Sequence, residues 1–318
     1  MIDQATLPLF PMLPSRRPGA GSEPESLRRR AGVEYFDLLV RDPLNRAESA
    51  RLPFDWTINP YRGCELGCAY CYARYTHGFF ELSDPLDFET KIFVKRRAAE
   101  ALRRRLRKSD LRGQTIAIGT ATDPYQPAEK HYEITRSLLE VLAESEGLNL
   151  AITTKSPIVL RDLDLLAELD RRHAVELHVT ITTVDSALAR RIERHAPDPA
   201  ARLRTVSALA EAGLPVRVNC MPVMPGINDH EEALEPLFEA ARAAGAFEVT
   251  GTPLFLRGTT RGHFFEFLGR EFPLLVPLYR RLFERRDYLG EAAKDQLLAT
   301  FRRLKLEYGF PRPIAARA

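Results

Sequence analysis

Short apolar runs alternate with amphipathic helical segments along most of this chain, and this alternation limits the folds open to it. Leu139, Leu142 and Ala143 show the i, i+3, i+4 spacing of a helix face. Strands that alternate with helices form a parallel sheet with right-handed crossovers. Six such units at a spacing of roughly 30 residues predict an α/β fold, an open, partial (β/α)6 TIM-like barrel rather than a closed eight-stranded one. The predicted strands are residues 56–58, 115–119, 148–153, 176–182, 215–220 and 247–250.

Four segments are expected along the chain. Residues 1–31 are rich in proline and end in a basic run, which is typical of a disordered tail. Residues 32–54 form a lead-in segment across the domain, and residues 55–260 form the barrel core. Residues 261–318 carry many aromatic side chains and no strand pattern, so we expect a helical C-terminal cap on the same domain.

Composition places the chain among globular proteins without a membrane segment. The 318 residues are 45% hydrophobic and 28% charged, and no apolar run is long enough to cross a bilayer. The N-terminus has no secretory signal pattern, so a cytoplasmic location is expected. The net charge of +3 neither requires nor excludes a nucleic-acid partner.

Three of the four cysteines lie within eight residues, in a segment that we call the cysteine loop (residues 59–72). Cys64, Cys68 and Cys71 have the spacing C-x3-C-x2-C. Such clustering indicates a metal site rather than a disulfide framework. Three thiolates can hold three irons of a cubane and leave the fourth iron without a protein ligand. A structural zinc site would need a fourth ligand, and the remaining cysteine, Cys220, lies far away in a predicted core strand.

The cysteine loop resembles that of the radical S-adenosylmethionine (SAM) superfamily. Within the superfamily, the chain is similar to the branch related to spore photoproduct lyase, a DNA-repair enzyme, over about residues 33–318. The resemblance to this branch rests on residues 59–64 (NPYRGC), 70–72 (YCY) and 123–127 (DPYQP). It implies a [4Fe–4S] cluster on the three cysteines, SAM bound at the open iron, and reductive cleavage of SAM to a 5′-deoxyadenosyl radical. It also implies a reductant such as a flavodoxin or ferredoxin.

Two tyrosines of the loop match positions with known roles in the family. Tyr70 stands where an aromatic side chain borders the SAM adenine, and Tyr72 resembles a catalytic tyrosine that relays a hydrogen atom. Ordinary packing beside the loop is the alternative for both rings.

The ends of three predicted strands carry candidate SAM ligands. Thr122 and Asp123 offer oxygens to the SAM amino group, although an Asp-Pro turn that closes the strand explains them too. Lys155 and Ser156 suit the SAM carboxylate, although Ser156 before a proline is also a common helix start. Thr182 is expected to face the ribose.

Four further features have two interpretations each. Arg190 and Glu193 fit a surface ion pair at least as well as a SAM contact. Residues 221–229 fit a loop over the adenine or a turn in which Asn228 caps a helix. Cys220 is expected to be a small buried hydrophobe, with hydrogen-atom donation as the alternative. His77 can orient substrate or bind a backbone carbonyl.

The substrate is the least determined part of the prediction. Because the repair lyase has its donor cysteine at the end of the second strand, and this chain has none there, the chain is not expected to be the repair lyase itself. Nucleic acid is the leading hypothesis by resemblance, and the basic residues 95–108 suit either phosphates or solvent. The alternatives are radical modification of a peptide or small molecule, a non-catalytic iron–sulfur sensor or electron carrier, and a zinc-binding interaction protein.

Overall fold

The computed structural model describes residues 26–310, apart from residues 31, 48, 50, 51, 83 and 284. In chain order its strands are β1 (Ser26–Arg30), β2 (Val33–Asp37), β3 (Leu44–Arg46), β4 (Trp56–Ile58), β5 (Tyr61–Arg62), β6 (Lys91–Val94), β7 (Thr115–Ile118), β8 (Asn149–Thr154), β9 (Ala174–Thr180), β10 (Val216–Val223) and β11 (Glu248–Pro253). Its α-helices are α1 (Asp87–Thr90), α2 (Ala98–Leu106), α3 (Glu129–Tyr132), α4 (Ile134–Leu142), α5 (Leu163–Arg172), α6 (Ser186–Ile192), α7 (Pro199–Glu211), α8 (Glu231–Ala243), α9 (Thr259–Glu271), α10 (Val276–Phe283) and α11 (Glu291–Glu307).

The larger sheet is the open barrel that the strand–helix alternation predicts. Its seven strands follow the order β11-β10-β9-β8-β7-β4-β3. Every pair from β4 to β11 in this order is parallel, and β3 adds an antiparallel strand to the edge beside β4. The predicted partial (β/α)6 barrel is therefore confirmed. Because all six parallel strands point the same way, the loops after them meet at one end, which we call the barrel mouth.

A second, four-stranded sheet was not predicted from the sequence. It has the order β1-β2-β6-β5 and draws strands from both sides of the cysteine loop. The lead-in segment thus contains two strands that join different sheets. Strand β2 pairs with β6 in the smaller sheet, and β3 pairs with β4 at the edge of the barrel. Most of the expected disordered tail lies outside the described residues, but its last part, Ser26–Arg30, is strand β1.

Helices cover the outside of the barrel and its last strand. The predicted helix faces are buried, as at Leu139 of α4 and Leu237 of α8, because burial of apolar surface is the main favourable term in folding. The described part of the C-terminal region carries α9, α10 and α11, and α11 packs on α8 through a ring contact of 4.9 Å between Phe238 and Phe301. Across the described residues, no helix is both long and apolar enough to span a bilayer.

Candidate active site

The cysteine loop leaves the barrel at the C-terminal end of β4. Its first half is fixed by Gly63, whose φ of +88° favours glycine and whose position leaves no room for a side chain. A Cβ there would lie 2.8 Å from the carbonyl oxygen of Lys91 in β6. Strand β6 thus sets the path of the backbone immediately before Cys64, whose own N–H donates to the carbonyl of Phe88 at 2.8 Å.

The second half of the loop runs beside residues 192–195, after α6. Cys68 forms an isolated antiparallel bridge with Glu193, and the N–H of Ala69 donates to the carbonyl of Ile192 at 2.9 Å. On the other side, the buried guanidinium of Arg74 donates to the carbonyl of Cys68 at 2.8 Å and pairs with the buried carboxylate of Glu89. The backbone at Cys68 is therefore held from two directions.

The three thiols are free and occupy this fixed backbone. Cys64 and Cys68 are buried and Cys71 is half-buried. Burial raises the pKa of each thiol, that of Cys68 to about 12, so thiolates here require a bound metal. Three cysteines without a disulfide partner fit the donor set of an iron–sulfur cubane, which binds each thiolate to a different iron. In the part of the chain that the structure describes, no three metal-ligating side chains converge as ligands of one ion.

The loop after β7 attaches to the cysteine loop through Thr122 and Gln126. The hydroxyl of Thr122 and the amide of Gln126 both donate to the carbonyl of Gly63, at 2.6 and 3.2 Å. The Gln126 side chain also accepts from the N–H of Glu65 at 3.0 Å. Thr122, predicted to offer an oxygen to the SAM amino group, therefore already uses its proton to hold the loop.

Asp123 cross-links the ends of β7 and β8. One carboxylate oxygen accepts from Thr154 Oγ1 at 2.7 Å and from the N–H of Tyr125 at 2.9 Å. The other accepts a single hydrogen bond, from the N–H of Lys155 at 2.7 Å. Burial raises the pKa of Asp123 despite these bonds. Since a carboxylate oxygen has two lone pairs, the second oxygen keeps one acceptor site.

Lys155 and Ser156 lie side by side at the end of β8 but in different environments. Ser156 is buried, and its oxygen accepts from the N–H of Ile158 at 3.3 Å, so it starts the 3₁₀-helix Pro157–Asp162. The ammonium of Lys155 lies 5.7 Å from the centre of the Tyr70 ring and forms no hydrogen bond or ion pair with any described residue. Burial lowers the pKa of Lys155, but Cys68 and Glu193 more than offset this and raise it overall.

Tyr70 and Thr182 share one partner, the buried carboxylate of Glu193. The Tyr70 hydroxyl donates to it, and Thr182 Oγ1 does so at 3.2 Å. Glu193 also forms an ion pair with Arg202, in which both side chains are almost wholly buried. Burial alone would raise the pKa of Glu193, but Arg202 and Lys155 hold it below the usual range. The surface pair expected for Arg190 and Glu193 is therefore wrong, because the partner of Glu193 comes from α7.

Tyr72 begins the 3₁₀-helix Tyr72–Phe80 directly after Cys71. Its hydroxyl donates to the carbonyl of Thr120, and its half-buried ring lies 5.2 Å from that of Phe255. Burial raises the pKa of Tyr72 above the usual range, so burial favours the protonated, neutral phenol. Thus the ring predicted to relay a hydrogen atom, at the end of the cysteine loop, contacts the loop after β11.

Three other predicted features have structural partners. Cys220 is fully buried in β10, where burial raises its pKa to about 12. Asn228 does not cap α8; its amide donates to the carbonyl of Thr182 at 2.8 Å and braces the loop after β10 against β9. His77 is buried and bonds to the carbonyl of Lys91 at 2.9 Å. The structure thus favours the backbone-binding interpretation of His77.

Sequence reasoning missed the buried ion pairs beneath the loop. Arg74 with Glu89 and Arg202 with Glu193 do not have the i, i+3 or i, i+4 spacing of a helix pair, and no motif marks them. The one available signal was Glu193, which the sequence offered as a partner of Arg190 or as a SAM contact. Only the packing of α6 and α7 against the loop reveals that its charge is compensated from within the core.

Comparisons with known proteins agree with this geometry. The family model described as the Radical SAM superfamily matches residues 58–237. An uncharacterised protein of Mycobacterium tuberculosis is 40% identical over 267 residues, which are 84% of this chain and 78% of that protein. An uncharacterised protein of Methanocaldococcus jannaschii is 28% identical over 200 residues, which are 63% of this chain and 71% of that protein.

Solved structures of spore photoproduct lyase share the fold. One variant superposes with a TM-score of 0.65 at 16% identity and covers 86% of this chain and 79% of its own. A second variant, with bound AdoMet and dinucleoside spore photoproduct, gives a TM-score of 0.59 at 17% identity, with coverages of 82% and 76%. With the family model spanning more than half of the sequence, the chain belongs to the radical SAM superfamily.

Proposed function

We propose that this protein is an enzyme that holds a [4Fe–4S] cluster on Cys64, Cys68 and Cys71 and acts on nucleic acid. Proteins of the superfamily use SAM and an iron–sulfur cluster. When bound and reduced, the cluster supplies one-electron cleavage of SAM, which gives a 5′-deoxyadenosyl radical that abstracts hydrogen from the substrate. The observation that carries the proposal is the position of three free cysteines at the mouth of the family's barrel, beside the polar ends of β7 and β8.

Different side chains around the loop bind different groups of SAM. The Lys155 ammonium, without an ionic partner among the described residues, neutralises the SAM carboxylate, and the Ser156 hydroxyl still has a proton to donate to it. The acceptor site left on Asp123 takes the SAM amino group, with Thr122 beside it. Tyr70, fixed through Glu193, borders the adenine, and Thr182 faces the ribose. Tyr72 relays hydrogen between SAM and the substrate.

Anaerobic reconstitution with iron and sulfide tests this proposal. The protein is reduced with SAM present, and 5′-deoxyadenosine is measured for the wild type, Cys71→Ala and Cys220→Ala. We expect a cluster and product from the wild type and from Cys220→Ala, since Cys220 lies in the core strand β10, and little of either from Cys71→Ala. A stable cluster without product would indicate a sensor or carrier, and stoichiometric zinc in place of iron would overturn the assignment.

A further inference from the structure

Three aromatic rings form a continuous row from the cysteine loop to the C-terminal cap. The Tyr72 ring lies 5.2 Å from the Phe255 ring, and the Phe255 ring lies 5.3 Å from the Tyr288 ring. All three side chains are half-buried. Phe255 belongs to the loop after β11, so the row crosses the open edge of the barrel at its mouth. Half-exposed rings in a row are a surface on which unpaired bases can stack.

Four arginines precede Tyr288, the last ring of this row, in the sequence. Arg280, Arg281, Arg285 and Arg286 are exposed, and they form no ion pair with any described residue. The acidic neighbour Asp287 is taken by Arg261 at 2.7 Å. An open cavity of about 520 Å³ is lined by arginines 281, 285 and 286, by Gly290 and by the first residues of α11, among them Glu291, which pairs with Lys294 at 3.4 Å. Its free guanidinium groups match the geometry of phosphate oxygens.

The direction of α11 shows that this cavity borders the barrel mouth. A Cβ on Gly251 of β11 would lie 2.6 Å from the Phe301 ring, and Lys305 near the end of α11 binds Glu248 at the start of β11. The helix therefore runs antiparallel to the strand, and it begins at the strand's C-terminal end. A bond of 2.8 Å from the N–H of Leu256 to the carbonyl of Asp287 fixes the arginine segment there.

We propose that single-stranded nucleic acid binds along this row, with a base stacked on Tyr288 at the outer end of the row and phosphates on Arg281, Arg285 and Arg286. Stacking requires unpaired bases, and three arginines on one side suit a phosphate backbone. A strand bound in this way leads toward Tyr72 and the cysteine loop. The inference rests on the proposed function for the reaction, but binding along the row can be measured without it.

The basic surface suggested by the sequence differs from this one. On α2, Arg103 is paired with Glu144, and Arg105 is paired with Asp42 and stacked on Trp56 at 5.3 Å. Other arginines of this region (Arg97, Arg104 and Arg107) are exposed. They lie on an outer helix before β7 and offer a control of equal charge.

Fluorescence anisotropy with labelled single strands of deoxythymidine and uridine tests the proposal on the full, reconstituted chain. The triple variant R281Q/R285Q/R286Q should bind at least ten-fold more weakly, and its salt dependence should fall by about 2 in log–log slope, as for three lost phosphate contacts. R97Q/R104Q/R107Q should bind as the wild type does. Tyr288→Leu should weaken binding about ten-fold with the salt slope unchanged, because it removes stacking and no charge.

Equal losses in the two triple variants, or displacement by polyglutamate as readily as by an oligonucleotide, would show a general polyanion surface and overturn the proposal. So would a wild type that binds neither strand. The same preparations are assayed for 5′-deoxyadenosine without oligonucleotide. Product without binding refutes only the nucleic-acid surface, whereas binding without product refutes only the radical chemistry.

Discussion

At the scale of single residues, partners decide which predicted ligands remain available. Ser156 and Thr122 already form hydrogen bonds within the protein, whereas Lys155 offers an ammonium without an ionic partner among the described residues. Asp123 lies between these cases, with three bonds accepted and an acceptor site left. The sequence shows these residue types at the strand ends, but only the structure shows which of their polar atoms already have partners.

Replacing Lys155 by methionine should weaken SAM binding without unfolding the protein. A hydrogen bond to a charged group contributes roughly 1.5–3 kcal/mol, so we expect the dissociation constant to rise by about 10- to 100-fold. Calorimetric titration of the reconstituted protein with SAM measures this change. Lys130→Met removes an exposed lysine from α3 and should leave the affinity as it is. Equal affinities for wild type and Lys155→Met would rule out the carboxylate role.

His77 should make the stability depend on pH. Burial lowers the pKa of His77 to about 4, from an ordinary value of 6.5. Between these values the unfolded chain binds a proton that the folded chain does not, so the stabilisation present above pH 6.5 is lost as the pH falls toward 4. The free energy of unfolding of the wild type, measured relative to that of His77→Phe, should fall by about 3 kcal/mol as the pH is lowered from 7 to 4.

Urea denaturation at several pH values measures this difference. A constant offset between the wild type and His77→Phe over this range would mean that folding leaves the pKa of the imidazole unchanged.

At the scale of elements, the cysteine loop is positioned by neighbours from three parts of the chain. Strand β6 closes on Gly63, the loop after β7 binds the carbonyl of Gly63, and residues 192–195 pair with Cys68 and Ala69. The buried ion pair of Arg202 and Glu193 anchors the last of these segments. Removal of one partner of a buried ion pair leaves an uncompensated charge in the core and strongly destabilises a protein. We therefore expect the position of the cysteine loop to depend on this pair.

Gly63→Ala should reduce the iron and sulfide that the protein retains. The substituted Cβ would lie 2.8 Å from the Lys91 carbonyl, in addition to the strain of a φ of +88°. Gly113→Ala is a matched control, because its φ is +76° but no atom lies within 4 Å of its added Cβ. We expect iron content to fall at least two-fold in Gly63→Ala and to stay near wild type in Gly113→Ala. Equal contents would show that β6 does not set the loop.

At the scale of the whole molecule, the C-terminal helices complete the barrel. Helix α11 covers β11, the last strand of the open sheet, and carries Phe301 into the ring cluster of Phe238 and Phe310. The same helix begins beside the mouth, where Leu256 is tied to Asp287. The cap is therefore expected to fold together with the barrel.

Phe301→Ala should destabilise the entire protein. Removal of a buried phenylalanine costs roughly 3–5 kcal/mol, and Phe301 is only 4% exposed. Calorimetry should show one unfolding transition in the wild type, shifted to lower temperature in the variant. Leu306→Ala, on the same helix but 67% exposed, should leave the transition nearly unchanged. Two separate transitions, only one of them moved by Phe301→Ala, would mean that the cap is a domain of its own.

The sequence by itself determined the barrel, the family and the grouping of three cysteines in one loop. These features are local: strand and helix periods repeat within a few residues, and the three thiols lie in one short loop. The six predicted strands agree with β4 and β7–β11 to within a few residues because their apolar runs are bounded by loops and helix starts.

Only the tertiary structure revealed the second sheet, the buried ion pairs and the aromatic row with its arginines. Strand β5 has two residues, and β2 pairs with a strand more than fifty positions away, so neither leaves a periodic signal. Glu193 and Arg202 become a buried pair only when α6 and α7 pack against the cysteine loop. Tyr72 and Phe255 meet because parallel strands bring their C-terminal loops to one end of the barrel, and the segment between α10 and α11 brings Tyr288 to the same end.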